Sequence, residues 1–578
     1  MSSRRGILLV VLLILVGVVV SVGAVILTAL FTPTAAPVPQ NSTLYLPIEA
    51  PYPEAEPSDL LSAFGAPRVT LRNLIASLRR AKTDGRIRNL VVIPKSGGLL
   101  WAQGQEIRAA IEDFRTSGKQ ITAFIEAAGG LEYYIATAAD RVVLMPAGQI
   151  DLVGVATHEL FLRGTLDKIG VYPDLLHIGD YKTASNMFTE KSFTPAHREM
   201  TTSMNRDWYD QLVGAVAQGR KRSAAEAKLM VDNGPYLGEE AVRAGLVDAL
   251  AYEDWLDDEP PIRGTRRLDA KNYVRSGSTT TFGDNNRIAL IYAVGTITSG
   301  ESSSDAWGST VVGSDSFVGW IRRARIDPNT RAVVIRIDSP GGSAVASEVM
   351  WREIKLTRDV KPVIVSMGDV AASGGYYIAA PAHVIVAQPG TITGSIGVVT
   401  GKMVLDGTLD KLGVNTESVA DGPNALIYSP FRRFTDPERQ RVAAQMKFVY
   451  DTFLQRVAEG RSMPPEKVHE VAQGRVWTGA QAKARGLVDE IGGLEVALRL
   501  AKERAKLDPR REYPLTVYPP RRSLFELLAN PFGTSVGSAA QKVGLPVELT
   551  LLQRAAATLG HFRRGETLVL LPNIFWRN

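Results

Sequence analysis

Cysteine is absent from the 578 residues, and histidine occurs only six times. Without cysteine there is no disulfide, no thiol nucleophile and no thiolate metal site. The histidines (His158, His177, His197, His383, His469 and His561) form no HExxH pattern or other close ligand pair, so neither a metal nor another cofactor is expected. A strong excess of one charge is also missing. Sixty-six basic and 60 acidic residues leave a net charge of +6. No long basic run is interleaved with aromatics, so nucleic acid is not an expected partner. Charge is missing altogether between Gly6 and Phe31. This apolar run exceeds the roughly 20 residues that span a bilayer and the roughly 7–15 residues of a cleavable signal core. "TAA" at Thr34–Ala36 imitates a cleavage site, but the length favours an uncleaved transmembrane helix. Arg4 and Arg5 precede the run and favour a cytoplasmic N-terminus. The expectation is a single-pass protein of the inner (cytoplasmic) membrane, its folded part on the periplasmic or extracytoplasmic side.

What is present is a chain written twice. "GTLDKIGV" begins at Gly164 and "GTLDKLGV" at Gly407, an offset of 243. At the same offset "YYIA" at Tyr133 meets "YYIA" at Tyr376, and "RNLVVI" at Arg88 meets "RAVVIR" at Arg331. "GLVD" at Gly245 meets "GLVD" at Gly486, where the offset is 241, so a small deletion lies between. Internal repeats set architecture. The predicted organisation is an anchor over 1–31, a linker over 32–45, a first repeat over 46–275, a linker over 276–285, a second repeat over 286–505, and an extension over 506–578 that has no repeat partner.

Each copy reads as α/β. In the second, "RIALIYAVGTI" suits a buried strand, "SFVGWIRRARID" has helical spacing, and "RAVVIRID" is a strand ended by "SPGG". "ASEVMWREIKLTRD" follows as an amphipathic helix, then the strands "PVIVSMG" and "HVIVAQ". Strand and helix in alternation predict crossover units and a largely parallel sheet. A long helix over "DPERQRVAAQMKFVYDTFLQRVAEG" comes near the end. "GTLDK" occurs in both copies and is expected to serve the fold.

The copies differ where chemistry is expected. Ser373, in "ASGGYYIA", falls on Gly130, and Ser395, in "TGSIGV", falls on Leu152. "DSPGG" (Asp338–Gly342) falls on "KSGGL". The first copy in turn has "YKTASNMF", whose Lys182 has no lysine opposite it in "VADGPNALIYSPF". Each half lacks what the other has, which suggests a Ser–Lys dyad divided between copies. A serine hydroxyl needs a base to take its proton. A lysine serves only if its neutral form is populated, and burial in an apolar cleft favours that form. Ser395 would hold the amine. Backbone amides of Gly374 and of Gly341 or Gly342 would receive an oxyanion. His383 follows a loop and opens a strand, so a structural role is expected for it.

Together, "DSPGGS", "ASGGYYIA", "TGSIGV" and "YKTAS" resemble, in order, the motifs of bacterial signal peptide peptidase A (SppA) of the long, duplicated form. The resemblance covers the anchor to about residue 500. It implies two tandem domains of the ClpP/crotonase kind, with Ser373 as nucleophile, Lys182 as general base and Ser395 in support. It also implies peptide substrates such as signal peptides and unfolded chains, and a bowl-like homo-oligomer, taken as a tetramer. "TASNMF" departs from the commoner "SAxEPF" and would alter a pocket wall while keeping the dyad. Two rival readings are a crotonase-like acyl-CoA enzyme, which the membrane anchor opposes, and a non-catalytic membrane scaffold, which intact Ser373 and Lys182 oppose.

Overall fold

The computed structural model describes residues 37–49, 52–56, 69–95, 97–276, 285–304, 310–520, 567–570 and 575–576. The apolar run Gly6–Phe31 lies outside them, and among the described residues no helix is long and apolar enough to cross a membrane.

In the first copy the chain runs through Ser42–Ile48 (β1), Leu71–Thr83 (α1), Ile87–Pro94 (β2), Trp101–Arg115 (α2), Gln120–Gly129 (β3), Gly130–Ala136 (α3) and Arg141–Asp151 (β4). The strands form a parallel sheet in the order β4-β3-β2-β1. Their apolar runs are buried on both faces, as Leu90 to Ile93 show, because helices cover both sides of such a sheet. One of them, α1, illustrates why. Thr70 caps it by accepting a hydrogen bond from the Asn73 amide, and Leu71, Leu74, Ile75 and Leu78 bury one face. Each of those side chains contributes roughly 1.5–3 kcal/mol through burial. Beyond this sheet lie Tyr172–Ile178 (β5) and the long helix Pro195–Arg220 (α4).

The second copy repeats the plan with Arg287–Val294 (β6), Ser314–Ile326 (α5), Thr330–Ser339 (β7), Gly341–Ser343 (β8), Ala344–Arg358 (α6), Val363–Ala372 (β9), Gly374–Ala379 (α7) and Ile392–Gly394 (β10). Within its sheet β10, β9, β7 and β6 lie side by side in that order, parallel to one another. Leu515–Tyr518 adds a further parallel strand beside β6, as Arg266–Asp269 does beside β1. The strand Leu515–Tyr518 therefore belongs to the second sheet although it lies in the sequence extension. The first residues of α1 and α5, of α2 and α6, and of β3 and β9 are each 243 positions apart. Asp436–Arg461 (α8) begins 241 residues after α4. The repeated "GTLDK" segments form short helices, Arg163–Ile169 and Asp406–Leu412, that pack on each other. The Thr408 hydroxyl donates to the Ile169 carbonyl at 2.7 Å. Gly170, at φ +80°, leaves no room for a side chain, since a Cβ there would lie 2.4 Å from Gly407.

A third sheet joins the copies. Val398–Val404 (β11) pairs antiparallel with β5 over seven residues, from Ile178 opposite Val398 to Tyr172 opposite Val404. Further bonds cross between copies: the Gln103 amide to Asp369 at 3.1 Å, the Gly390 amide to Gln105 at 2.7 Å, and the Trp208 indole to the Gly390 carbonyl at 3.1 Å. Apolar packing is continuous as well, with Ala372, Ile392 and Val476 buried in the interior of the first copy.

Candidate active site

Ser373 stands at the turn between β9 and α7, at the C-terminal end of a central parallel strand, where open α/β sheets place their ligands. Its backbone has φ 54° and ψ −112°, a conformation that L-residues rarely adopt and that is held only where the surroundings impose it. Here the Ser373 amide donates to the Gly394 carbonyl and the Ser373 carbonyl accepts from the Tyr377 amide, both at 2.8 Å. The strained turn is thus fastened on both sides, and it sets Oγ at the mouth of the strand. The first-copy counterpart is different in kind. There α3 begins at Gly130, and the Glu132 carboxylate caps the helix by accepting from the Gly129 amide at 3.0 Å.

The glycines that follow Ser373 are required by space. A Cβ on Gly374 would lie 2.8 Å from Ser347 Oγ and 3.1 Å from Gly341 Cα, and one on Gly375 would lie 2.8 Å from the Ser339 carbonyl oxygen. The start of α7 therefore rests on the Gly341–Gly342 turn, so the three glycines considered as oxyanion donors are brought together beside Ser373. Their amides are not equivalent. Gly374 opens a helix, where an amide has no intrahelical acceptor, whereas the Gly341 amide donates to Ser339 Oγ at 3.2 Å. Gly342 at φ 152° lies in β8, against Ile297.

Lys182 reaches the serine through the third sheet. The β5–β11 ladder ends at Ile178 opposite Val398, so the residues just after β5 lie beside those just before β11. Lys182 is the fourth residue after Ile178 and Ser395 the third before Val398. Lys182 Nζ lies 2.9 Å from Ser373 Oγ, 3.0 Å from Ser395 Oγ and 3.0 Å from the Ser395 carbonyl oxygen. All three residues are fully buried and come from one chain. Burial alone pushes the lysine well below its ordinary range, and among the described residues no carboxylate opposes it. A neutral amine has two N–H donors and one lone pair. Donation to the two oxygens of Ser395 would leave the lone pair of a neutral amine for the Ser373 hydroxyl.

One contributor was not evident from sequence. Gly474, at φ 79°, packs on the lysine backbone: a Cβ there would lie 2.4 Å from Lys182 Cα. Its amide donates to Ile396 at 2.8 Å, and the neighbouring Arg475 carbonyl accepts from the Ser395 amide at 2.7 Å. The only sequence signal was a glycine in "AQGR". His383 plays another part: its Nδ1 accepts from the Val363 amide at 3.1 Å, at the start of β9 and away from Ser373.

Residues 113–258 and 355–508 each match the profile of Peptidase family S49. "Serine protease SPPA, chloroplastic" of Arabidopsis thaliana is 34% identical over 515 residues, covering 87% of this chain and 76% of that protein. "Protease 4" of Salmonella typhi is 33% identical over 490 residues, covering 81% of this chain and 76% of that one. Among solved structures, a ClpP1 mutant from Listeria monocytogenes aligns over 35% of this chain and 90% of its own, at 15% identity and a TM-score of 0.24. The family match and the two sequence relatives define the class as that of the serine proteases. The chain belongs to Peptidase family S49.

Proposed function

We propose that this chain is a membrane-anchored endopeptidase in which Ser373 is the nucleophile and Lys182 the general base, degrading cleaved signal peptides and other short or unfolded hydrophobic chains. The observation that carries this reading is the 2.9 Å approach of a fully buried, carboxylate-free lysine amine to the Ser373 hydroxyl. Lys182 takes the hydroxyl proton as Ser373 Oγ adds to the peptide carbonyl. The oxyanion turns toward the amides of Gly374 and the Gly341–Gly342 turn. Collapse breaks the C–N bond, and the lysine proton passes to the leaving amine. Water then takes the same path, with Lys182 again as base, and releases the acyl group from Ser373. Ser395 holds the amine in line through two contacts of 3.0 Å. The preference for hydrophobic chains is supported by the resemblance of the sequence motifs to those of long SppA proteins.

The chain divides in this reading at 46–275, carrying the lysine, and 286–505, carrying the serine. The charge-free run Gly6–Phe31 supports the anchor and an extracytoplasmic site. The resemblance to long SppA proteins supports assembly into a homo-oligomer. A buried site admits extended chains and excludes folded ones. One substrate protein rich in apolar segments, offered folded and unfolded, tests this: the unfolded form is expected to be cut and the folded form spared. Equal rates on both would sink the substrate assignment.

The acid limb of the pH profile is a second expectation. The folded-state lysine binds its proton less readily than an ordinary lysine because of burial. Above the lowered value the base is free and activity is full; as pH falls through it, the ammonium forms and kcat/KM drops tenfold per pH unit. The profile should follow one ionisation that lies well below the ordinary lysine range. A limb at the ordinary lysine value would remove Lys182 from the role.

A further inference from the structure

Arg475 and Glu199 form an ion pair between the two copies, beside the base. Arg475 Nη1 and Nη2 donate to the two carboxylate oxygens of Glu199 at 2.6 and 2.7 Å. The same guanidinium lies over the rings of Tyr181 and Trp477, 4.6 and 4.3 Å from their centroids. The arginine side chain is 14% exposed, against 51% for the glutamate. Freely exposed ion pairs contribute little, but a bidentate pair on a largely buried guanidinium has the geometry that does. The guanidinium holds the Glu199 carboxyl below its ordinary range, and a hydrogen bond with the Tyr181 side chain adds to the effect.

Three observations connect this pair to the chemistry. First, the segment that carries Arg475 touches both the base and its tether. The Gln473 carbonyl accepts from the Tyr181 amide at 3.1 Å, Gly474 packs on Lys182, and the Arg475 carbonyl accepts from the Ser395 amide at 2.7 Å. Second, the contact depends on unusual backbone. Gln473 at φ 55° and Ser395 at φ 51° are left-handed without being glycine, a state that persists where the surroundings impose it. Third, the pair is built at only one of two related junctions. At the offset of 241 that relates the "GLVD" segments, Arg475 falls on Gly234 and Glu199 falls on Gln440. The junction that holds Lys182 and Ser395 has the two charges, and its counterpart has neither.

We propose that Arg475 is a positioning residue for catalysis: gripped by Glu199 of α4 and by two aromatic rings, it fixes residues 473–475 so that the Lys182 amine stays dry and aligned with Ser373. The inference rests on the proposed reading of Lys182 as general base. Releasing the grip has two consequences. An amine out of line with the serine hydroxyl slows the chemical step and leaves substrate binding as it was. Water that reaches the amine eases its protonation, so its proton affinity rises toward that of an ordinary lysine. The acid limb of the activity profile then moves to higher pH.

The test compares full-length Arg475→Met, Arg475→Lys, Glu199→Gln and the Arg475→Met/Glu199→Gln double variant on a quenched fluorescent peptide of leucine and alanine. Steady-state kinetics are taken across pH, and thermal unfolding is followed alongside. Arg475→Met is expected to lower kcat by roughly ten- to a hundredfold with KM within about twofold, and to move the acid limb up by about half a pH unit or more. Arg475→Lys keeps the charge without the fork, so it should recover only part of kcat. Glu199→Gln, a change of equal shape on a half-exposed side chain, keeps the fold safe and should lower kcat by about three- to tenfold with the limb displaced the same way. The double variant should be little worse than Arg475→Met, because both changes break one contact. A purely structural role would reduce the folded fraction and leave the acid limb in place. The inference is overturned by an unmoved acid limb in Arg475→Met and Glu199→Gln, by parental kcat in both, by full recovery in Arg475→Lys, or by additive losses in the double variant. Failure of the Ser–Lys reading shows separately, as turnover by folded Lys182→Ala protein.

Discussion

Ser373→Ala and Lys182→Ala are each expected to lower kcat/KM by roughly four to six orders of magnitude, and the double variant is expected to be little worse than either. Non-additivity follows from the geometry. Nζ and Oγ are 2.9 Å apart, and among the described residues neither has a second partner that would take over its part: no carboxylate acts on Lys182, and His383 is engaged with the Val363 amide. Lys182→Arg should fail as completely, because a guanidinium stays protonated and cannot accept the serine proton. Ser395→Ala removes one of the amine's two tethers and leaves the Ser395 carbonyl, so a loss of up to about a hundredfold is expected.

Stability separates this chemistry from misfolding. Burial favours the neutral amine in the folded chain, so the unfolded state binds the proton more readily and stability rises with pH toward the ordinary lysine value. Each unit of the lowering costs about 1.4 kcal/mol at lower pH. Lys182→Met removes that cost and should unfold at a higher temperature than the parent while remaining inactive. A folded Lys182→Ala protein with near-parental turnover would rule out the lysine as base.

The repeat carried much of this into view from sequence. The offset of 243 read from "GTLDK" and "YYIA" recurs as the spacing between the starts of α1 and α5 and of β3 and β9. The differences between copies at Ser373, Ser395 and Lys182 pointed to three residues whose amine and hydroxyls meet at 2.9 and 3.0 Å. The means of bringing them together was not legible. The strand β5 has the sequence "YPDLLHI", without the alternation of a one-sided strand, and the residues 243 positions later form no strand at all. Its partner β11 comes from the other copy, a pairing that no local pattern encodes. Gly474 was equally silent, since its role depends on what packs against it. The strand Leu568–Leu570 has only three residues, too few for any periodic signal.

The charge cluster at the junction of the copies was hidden for the same reason, and it supports the second large expectation. Arg336, in β7, is fully buried and gives two hydrogen bonds of 2.9 Å to Glu54, one of 2.6 Å to Glu106, one of 2.9 Å to Ser366 Oγ and one of 3.1 Å to the Met367 carbonyl. Both glutamates come from the first copy. Two further carboxyls lie close in the second. Burial, with Glu54 nearby, pushes Asp338 up to about 6, and burial with Asp338 nearby raises Asp369 well above the carboxylate range. Burial also raises Glu106, and the Arg336 charge is what opposes it. Arg336 thus holds together a group of carboxyls that repel one another, two residues before Asp338 in the strand that leads to the Gly341–Gly342 turn. Arg336→Met leaves these charges buried without their cation and is expected to destabilise the fold by about 3–5 kcal/mol at neutral pH. The pH dependence has a definite sign. A carboxyl whose folded pKa is raised binds its proton more readily when folded, so its contribution favours the fold at low pH and is lost as pH rises through the folded value. The deficit of Arg336→Met should therefore shrink under mildly acid conditions, where Glu106, Asp338 and Asp369 are protonated. Combining it with Glu54→Gln and Glu106→Leu should recover part of the loss at neutral pH, because the two carboxyls hydrogen-bonded to the arginine are gone. Denaturant unfolding at neutral and mildly acid pH reads both effects. Parental stability of Arg336→Met at neutral pH, or a deficit that grows on acidification, would show that the arginine does not hold the two copies together in this way.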